Sequence, residues 1–506
     1  MNREGIDKME LNLKALEGYS PYSLLRKFAI FCGVVSRQSE NEKDASDFIA
    51  RQAEVLGLRY QQDDMHNIIV YKNGSPGREL EEAIIIQSHL DMVCVAYPEG
   101  SHNFATDPIE IYVENGKIKA KNTTLGADNG IGVATLLDLM HATEISHPPL
   151  KLLFTTAEEV GFFGAKKLNL EWLKGTMLIN LDSEDGFESV CVGCAGGSQI
   201  DLATFNTAYE KAAVDGHKCS LTIKGLRGGH SGVQIHENRH NAIVMMTRLC
   251  HRIKNDGYDI RLIDINGGIA MNAIPTNASI TFMLGAHYSY DVFANYIQDL
   301  ETEQKKYATE EVDMAFELEH LPIDIIEYVL TDQSQKNILG FFSAIPNGVI
   351  QPDEVVNDIV HTSSNVGVIK TDNNKIAVTL LVRSVYGERL HEVVAKIVSI
   401  GLTYGFGLVK DPQSYVPWEP KNNSHLLSTA LDLFKDLYNE EMKVYTVHAG
   451  LECSAFAEKN PDLDMISLGS KIGNPHTIDE EADIESIDKY YNFLILLLAS
   501  ISKEEL

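Results

Sequence analysis

Two adjacent carboxylates, Glu158 and Glu159, closely follow the apolar run at 152–154. Neighbouring residues on a regular strand point to opposite faces, but this alternation relaxes where a strand ends. Both carboxylates could therefore border one pocket, where one binds a metal ion and the other transfers protons. Taken alone, the pair is more typical of a solvated surface, because Glu side chains are mostly exposed. The catalytic interpretation depends on what the rest of the chain supplies.

A histidine and an aspartate with a useful spacing, His89 and Asp91, follow a second apolar run at 83–86. Residues two apart on an extended chain point to the same side. This spacing suits a metal-binding imidazole whose other ring nitrogen is held by a carboxylate. The preceding run is typical of a strand that is buried on both faces.

Two aspartates, Asp128 and Asp182, are further ligand candidates. Asp182 ends the apolar run at 177–181, whereas Asp128 lies between two glycines, directly before apolar residues at helical spacing. A position at the start of a helix is also typical of an N-cap residue, so that role stays open for Asp128.

Strand candidates in this chain thus repeatedly end in residues that can bind a metal, and helical stretches lie between them. That alternation predicts an α/β domain with a largely parallel sheet. In such sheets, ligands bind beyond the carboxyl ends of the strands. Because three separate strands would deliver ligands to one edge, we expect a metal site there.

The middle of the chain, residues 187–400, has a different character, with strand-like pieces and helical stretches that predict one or two βαββαβ-type sandwiches. We therefore expect a catalytic domain in two parts, 1–186 and 401–506, and an inserted domain over 187–400. The last helical stretch has its apolar residues on one face, which indicates docking onto the domain core.

Composition narrows the class of protein. The chain has 506 residues, and its formal net charge of −29 argues against nucleic acid and against an anionic membrane surface as partners. No apolar run is long enough to span a membrane, and the N-terminal residues lack the apolar core of a signal peptide. Seven dispersed cysteines do not form a disulfide pattern, so we expect a cytoplasmic protein.

Ordered motifs along nearly the whole chain resemble those of the aminoacyl-histidine dipeptidases, the bacterial carnosinase-type (Xaa-His) family of di-zinc metallopeptidases. The motifs are QSHLDMV at 87–93, TTLGADNGIG at 123–132, TAEEVG at 156–161, LDSE at 181–184, GGHSG at 228–232, NAIP at 272–275, PNGV at 346–349, HAGLEC at 448–453 and a late His476. The resemblance implies an α/β peptidase domain, with its sheet mostly parallel, and an inserted α+β lid domain.

The resemblance also implies two divalent metal ions, zinc in the first place, with manganese or cobalt as alternatives that tolerate similar ligands. His89, Asp128 and Asp182 would hold one ion, while Asp128, Glu159 and His476 would hold the other, so that Asp128 bridges both. The family tends to have a cis peptide bond at the bridging aspartate, here Asp128-Asn129.

By the same resemblance, Glu158 would be the general base and Asp91 would orient His89. In the lid, His230 would stabilise the oxyanion. It would act either within its own chain or on the neighbouring subunit of a homodimer. Arg383 would bind the substrate's free carboxylate. Asn272 and Asn365 are further candidates for hydrogen bonds to the substrate.

The function implied is the hydrolysis of unblocked dipeptides, Xaa-His dipeptides such as carnosine among them. Residues around the NAIP motif depart from the family, which commonly has charged residues where Met271, Thr276 and Asn277 stand. Side-chain specificity therefore stays open. Alternatives are a related amidohydrolase that acts on N-acyl amino acids or tripeptides, and a non-catalytic protein that binds peptides.

Overall fold

The computed structural model describes residues 3–34, 36–212, 216–323, 327–352 and 360–501. The chain divides into two compact units. The first unit comprises residues 1–194, 418–446 and 451–506, and the second unit comprises residues 195–417 and 447–450.

The first segment of the first unit contains five helices and eight strands. In chain order these are α1 (Arg3–Ala15), α2 (Tyr22–Val34), α3 (Lys43–Val55), β1 (Arg59–Gln62), β2 (Ile68–Lys72), β3 (Ile84–His89), β4 (Ile111–Glu114), β5 (Lys117–Ala120), α4 (Ala127–His141), β6 (Leu150–Thr155), α5 (Phe163–Lys167), β7 (Met177–Asn180) and β8 (Ser189–Cys194). A short 3-10 helix, Leu170–Leu173, precedes β7.

The second unit follows without a break. It contains β9 (Gly196–Thr204), β10 (Tyr209–Lys211), β11 (His217–Lys224), β12 (Gly229–His230), α6 (Ala242–Asn255), β13 (Ile260–Gly267), β14 (Ala273–Ile274), β15 (Ala278–Leu284), α7 (Tyr290–Lys305), β16 (Ala315–Leu321), β17 (Tyr328–Leu330), α8 (Asp332–Ala344), β18 (Gly348–Pro352), β19 (Val360–Asp372), β20 (Lys375–Ser384), α9 (Gly387–Thr403), β21 (Phe406–Leu408) and β22 (Gln413–Tyr415). The chain then returns with α10 (His425–Tyr438), β23 (Lys443–Val447), α11 (Cys453–Lys459), β24 (Asp464–Ser467), β25 (Ile472–Gly473), β26 (Glu481–Asp483) and α12 (Ile484–Ser500).

The main sheet of the first unit has the strand order β1-β2-β6-β3-β7-β24-β8-β23. Its four central strands, β6, β3, β7 and β24, are parallel. The pairs β1–β2, β2–β6 and β24–β8 are antiparallel. The predicted α/β class is confirmed, and the expected parallel arrangement holds for the centre of a mixed sheet. All six residues of β3 are buried, as expected for a strand covered on both faces.

The core of this unit lies between the sheet and the helices packed on it. The apolar face predicted for the last helical stretch is buried in α12, where Ile487, Leu494 and Leu498 are inaccessible to solvent. That face therefore docks onto the core, as the sequence pattern indicated. Within the described ranges, none of the helices has both the length and the apolar composition that a membrane crossing requires.

A small second sheet of the first unit has the order β25-β26-β5-β4. Strands β25 and β26 form a hairpin, and β26 also pairs with β5. Residues 474–480 connect the two hairpin strands, and residues 121–126 lead from β5 to α4. The loop of residues 474–480 and the segment of residues 121–126 are therefore both anchored to this sheet.

The second unit contains two βαββαβ motifs in one antiparallel sheet. The elements β11-α6-β13-β15-α7-β16 form one motif, with the strand order β16-β11-β15-β13. The elements β9-α8-β19-β20-α9-β21 form the other, with the order β19-β20-β9-β21. Strands β13 and β19 pair and join the two motifs. The first motif is inserted between β9 and α8 of the second, which confirms the predicted α+β insertion.

The boundaries of the insertion differ from the expected 186/187 and 400/401. Strand β8 belongs to the main sheet of the first unit through its pairing with β24, so the first unit extends to residue 194. Strands β21 and β22 pair with β9, so the second unit extends to residue 417. Both boundaries differ because the sheet to which a short strand belongs depends on its pairing with a strand far away in the sequence.

Candidate metal centre

The ligand candidates of the first unit lie beyond the carboxyl ends of the central parallel strands, as expected for such sheets. His89 is the last residue of β3, Asp182 lies two residues after β7, and Glu159 lies four residues after β6. Asp128 stands at the start of α4, and His476 lies in the loop between β25 and β26. The structure therefore brings together all five predicted ligands.

One group consists of His89, Asp128 and Asp182. The Nε2 atom of His89 lies 3.0 Å from Oδ1 of Asp128 and 3.2 Å from Oδ1 of Asp182. The candidate ligand atoms of the three residues all lie within 4.8 Å of one another. Imidazole and carboxylate groups at this spacing suit a divalent transition metal.

A second group consists of Asp128, Glu159 and His476. The Nε2 atom of His476 lies 3.1 Å from Oδ2 of Asp128 and 3.0 Å from Oε2 of Glu159. Asp128 thus faces the two histidines with different oxygens. The other oxygen of Glu159, Oε1, is buried and has no hydrogen-bond partner among the described residues, which leaves a lone pair available for a cation. These residues fit a pair of metal ions with a shared carboxylate.

The electrostatics of both groups favour added positive charge. Burial alone would lower the pKa of His89, but Asp182 and Asp128 raise this pKa well above its ordinary value. Hydrogen bonds to Asp128 and Glu159 raise the pKa of His476 to about 11. The negative charge of these carboxylates therefore favours a positive charge beside each imidazole, which a bound metal ion can supply.

Glu158 lies beside these groups, since it also forms a possible ligand set with His89 and Glu159. Burial raises the pKa of the Glu158 carboxyl well above its ordinary value, and the charges of Asp182 and Glu159 raise it further. A raised pKa makes a carboxylate a stronger base, which suits a group that takes a proton and later releases it.

Asp91 is buried and makes contacts beyond the predicted one to His89. Its Oδ1 accepts a hydrogen bond from the backbone N–H of Glu158 at 3.0 Å, and its Oδ2 accepts one from the N–H of Glu159 at 3.2 Å. The Nδ1 atom of His89 lies 3.5 Å from Oδ1 of Asp91 and 3.1 Å from its backbone oxygen. Asp91 therefore positions the backbone of both glutamates as well as the imidazole.

The Asp128-Asn129 peptide bond is cis, as the family resemblance implied. The sequence pattern alone predicts no role for the Asn129 side chain. Its amide nitrogen donates to Oδ1 of Asp182, and its Oδ1 accepts from the Ser88 hydroxyl at 2.8 Å. Asn129 thus orients Asp182, one of the predicted ligands. In the sequence, only its position directly after Asp128 indicates that it lies near the site.

Glu452, in the HAGLEC motif, is a further carboxyl for which the sequence pattern predicts no role. It is inaccessible to solvent, and its Oε2 accepts hydrogen bonds from Gln87 Nε2 and Thr155 Oγ1, both at 2.6 Å. Burial raises the pKa of Glu452 to about 8. These bonds connect α11 to the centre of the main sheet through β3 and β6.

In the second unit, His230 has a defined tautomer. Its Nδ1 accepts hydrogen bonds from the backbone N–H groups of Gly232 and Val233, at 3.1 and 3.2 Å. Because an acceptor nitrogen carries no proton, the neutral ring has its proton on Nε2. That nitrogen is the donor that the predicted oxyanion role requires.

Arg383 is a buried cation, with only 5 % of its surface exposed. Its Nη1 donates to the hydroxyl of Tyr415 at 2.8 Å, while its Nε has no hydrogen-bond partner in the part of the chain that the structure describes. No carboxylate of the described residues forms an ion pair with it. A buried guanidinium without an acidic partner is suited to an external anion.

His448, which was not predicted as a site residue, lies close to Arg383. Burial lowers the pKa of His448 to about 3, and the positive charge of Arg383 contributes. Its ring is therefore neutral, and its Nε2 lies 2.7 Å from the Ser363 hydroxyl. The HAGLEC motif contained this residue but gave no indication of its partner.

The two predicted asparagines differ in their surroundings. Asn272 is exposed. Asn365 is buried, and its amide nitrogen donates to the backbone oxygens of Met271 and Ala273, at 3.0 and 2.8 Å. Both N–H groups of Asn365 are thus used within the chain, so the side chain fixes the segment around Asn272.

Comparisons with known proteins identify the family of this chain. Residues 85–500 match Peptidase family M20/M25/M40. The chain is 35 % identical over 492 residues to the cytosol non-specific dipeptidase of Escherichia coli, with 97 % of this chain and 99 % of that protein covered. The crystal structure of aminoacylhistidine dipeptidase from Vibrio alginolyticus has a TM-score of 0.83 and 33 % identity, covering 97 % of this chain and 98 % of that one.

A tripeptidase from Staphylococcus aureus, at 15 % identity and a TM-score of 0.57 over 95 % of this chain and 98 % of that one, shares the fold. The sequence resemblance and the expectation of a hydrolase are confirmed: the chain belongs to Peptidase family M20/M25/M40.

Proposed function

We propose that the protein is a metal-dependent dipeptidase that hydrolyses unblocked dipeptides, Xaa-His dipeptides among them. The observation that carries this proposal is the pair of ligand groups that share Asp128, with the partly buried Glu158 beside them. Two divalent ions held there, zinc in the first place and manganese or cobalt as alternatives, would act as Lewis acids and make water a stronger acid.

The chain's own residues supply the proton transfers. Glu158 takes a proton from the attacking water as the water oxygen bonds to the scissile carbonyl carbon. Glu158 then gives this proton to the amine nitrogen as the carbon–nitrogen bond breaks. The Nε2–H of His230 stabilises the negative charge that develops on the carbonyl oxygen.

The relatives differ in the substrates that their names state. The E. coli protein is named a non-specific dipeptidase, and the V. alginolyticus protein an aminoacylhistidine dipeptidase. We therefore propose broad dipeptide specificity that includes Xaa-His. We also propose a cytosolic location, which the name of the E. coli relative and seven free cysteines support. The proposal is compatible with a homodimer.

A substrate panel tests this proposal. The zinc-loaded protein should release amino acids from carnosine, Gly-His and non-histidine dipeptides. N-acetylated amino acids and tripeptides should react at least about 10²-fold more slowly, because their charged ends are blocked or displaced. A metal-loaded protein that is inert to every dipeptide but active on acyl amino acids would support the amidohydrolase alternative. Inertness to the whole panel with peptide binding retained would support a non-catalytic protein.

Replacement of Arg383 tests how the substrate is held. We expect Arg383→Met to lower kcat/KM for free dipeptides roughly 10- to 150-fold, since hydrogen bonds to a charged group contribute about 1.5–3 kcal/mol. The same variant should hydrolyse C-terminally amidated dipeptides as the wild type does. Steady-state kinetics on matched free and amidated substrates measure the difference.

Arg389→Met is a matched control, because Arg389 is an exposed residue of α9 that pairs with Glu392. This control should leave both substrates unaffected. If Arg383→Met kept the wild-type discrimination between free and amidated dipeptides, Arg383 would not bind the substrate carboxylate.

A further inference from the structure

Glu480 makes an unusual set of contacts with the segment that carries Asp128. Only 2 % of its surface is exposed. Its Oε2 accepts hydrogen bonds from the N–H groups of Leu125 and Gly126, both at 2.8 Å. Its Oε1 accepts from Ala127 at 2.7 Å and from Asp128 at 3.2 Å. One carboxylate thus satisfies four consecutive backbone donors.

These donors need an acceptor because they precede the regular part of α4, since Asp128 and Asn129 have non-helical backbone angles. The first N–H groups of a helix have no partner within the helix, and buried donors without partners are costly. The N-cap residue is Gly126, at φ 66°, which has no side chain to accept a hydrogen bond. Glu480 supplies this acceptor with both of its carboxylate oxygens.

A backbone oxygen of the same segment is bound by Arg37. This arginine is buried, and its Nη2 donates to the backbone oxygen of Gly126. A Cβ at position 126 would collide with Arg37 and with the sulfur of Met92. The segment before Asp128 therefore has little freedom to move, because its donors and its carbonyl are both bound.

Glu480 also connects two predicted ligands. It lies in the same hairpin loop as His476, four residues further along, and directly before β26. This loop brings the imidazole of His476 to Oδ2 of Asp128 and the carboxylate of Glu480 to the backbone N–H of the same residue. Among the described residues, Glu480 belongs to none of the candidate ligand groups.

We infer that Glu480 is a positioning residue for the metal centre: by binding the N–H groups of residues 125–128, it fixes the Asp128 carboxylate between His89 and His476. Glu480 acts through the backbone and does not contact the metal ions or the substrate. This inference rests on the metal-binding part of the proposed function and does not depend on the cleavage of dipeptides.

Glu480→Gln tests the inference with a side chain of nearly the same shape. The amide has one acceptor oxygen in place of two, and its NH₂ group would face backbone donors. We expect Zn²⁺ affinity to fall roughly 10- to 100-fold, the usual effect of losing a group that orients a ligand. Competition with a chromophoric chelator measures this affinity. In the zinc-free protein, hydrogen exchange at the amides of 125–128 should become faster.

Asp483→Asn is the matched control. Asp483 accepts a hydrogen bond from Ser486 N–H at 2.8 Å and caps α12, three residues beyond Glu480. This variant also loses a charged helix cap, but it should keep wild-type Zn²⁺ affinity and wild-type exchange at 125–128. If Glu480→Gln does not fold, Glu480→Asp gives the same comparison, since the shorter carboxylate reaches fewer of the four donors.

Two results would overturn the inference: wild-type Zn²⁺ affinity and amide exchange in the Glu480 variant, or an equal loss of affinity in Asp483→Asn. Neither measurement uses a substrate. A protein that binds Zn²⁺ in this manner but cleaves no dipeptide would contradict the proposed function and leave the role of Glu480 intact.

Discussion

Glu158→Gln is expected to lower kcat by roughly 10²- to 10⁴-fold, the usual contribution of a general acid–base group. The amide is nearly isosteric with the carboxyl, but it can neither accept the proton of the attacking water nor deliver it to the leaving amine. Both metal ions should stay bound, because neither of the ligand groups that contain Asp128 includes Glu158. Metal analysis of the purified variant and kcat on a dipeptide substrate measure the two effects.

The neighbouring residue provides the comparison. Glu159→Gln should weaken the binding of the ion that Asp128 and His476 also hold, so activity should recover in part at high metal concentration. Glu158→Gln should not respond to added metal. An unchanged kcat would remove Glu158 from the role of the base, and loss of metal would assign it to the ligands, which its place near His89 and Glu159 also permits.

Asp128→Asn should weaken the binding of both metal ions by at least about 10²-fold, since even the loss of a group that merely orients a ligand weakens binding by 10- to 100-fold. One carboxylate oxygen faces His89 and the other faces His476, so the substitution removes a negative charge from both groups. Zinc titration of the apo protein measures the number of ions bound and their affinities.

Asp182→Asn serves as the comparison, because Asp182 would bind one ion whereas Asp128 would be shared by both. Asp182 belongs only to the group with His89 and Asp128, so this variant should lose one ion and retain the other. If Asp128→Asn also lost a single ion, Asp128 would not bridge the two. Circular dichroism of each apo variant controls for loss of the fold.

Much of the first ligand group could be predicted because its signals are local. The buried strand β3 and the residue that ends it, His89, are adjacent in the sequence, and apolar runs identify such strands well. The edge at which parallel strands deliver their ligands follows from the fold class. The pairing of these ligands into two groups came from the family resemblance.

The contacts that support the ligands could not be predicted, because their partners are far apart in the sequence. Glu480 binds the N–H of Leu125 across 355 positions, and Glu452 binds Gln87 across 365. No periodicity connects such residues. The family resemblance makes Asn365 a candidate for hydrogen bonds to the substrate, and only the folded chain reveals that neighbouring carbonyls occupy its donors.

The order of elements along the chain has a consequence for synthesis. Strand β7 and its parallel neighbour β24 are separated by the whole second unit. At about 5–20 residues per second, a ribosome needs roughly 15 to 60 s to make that interval. During this time the first unit has neither β24 nor His476. The nascent chain therefore carries only part of the ligand set until β24 and the loop with His476 have been made.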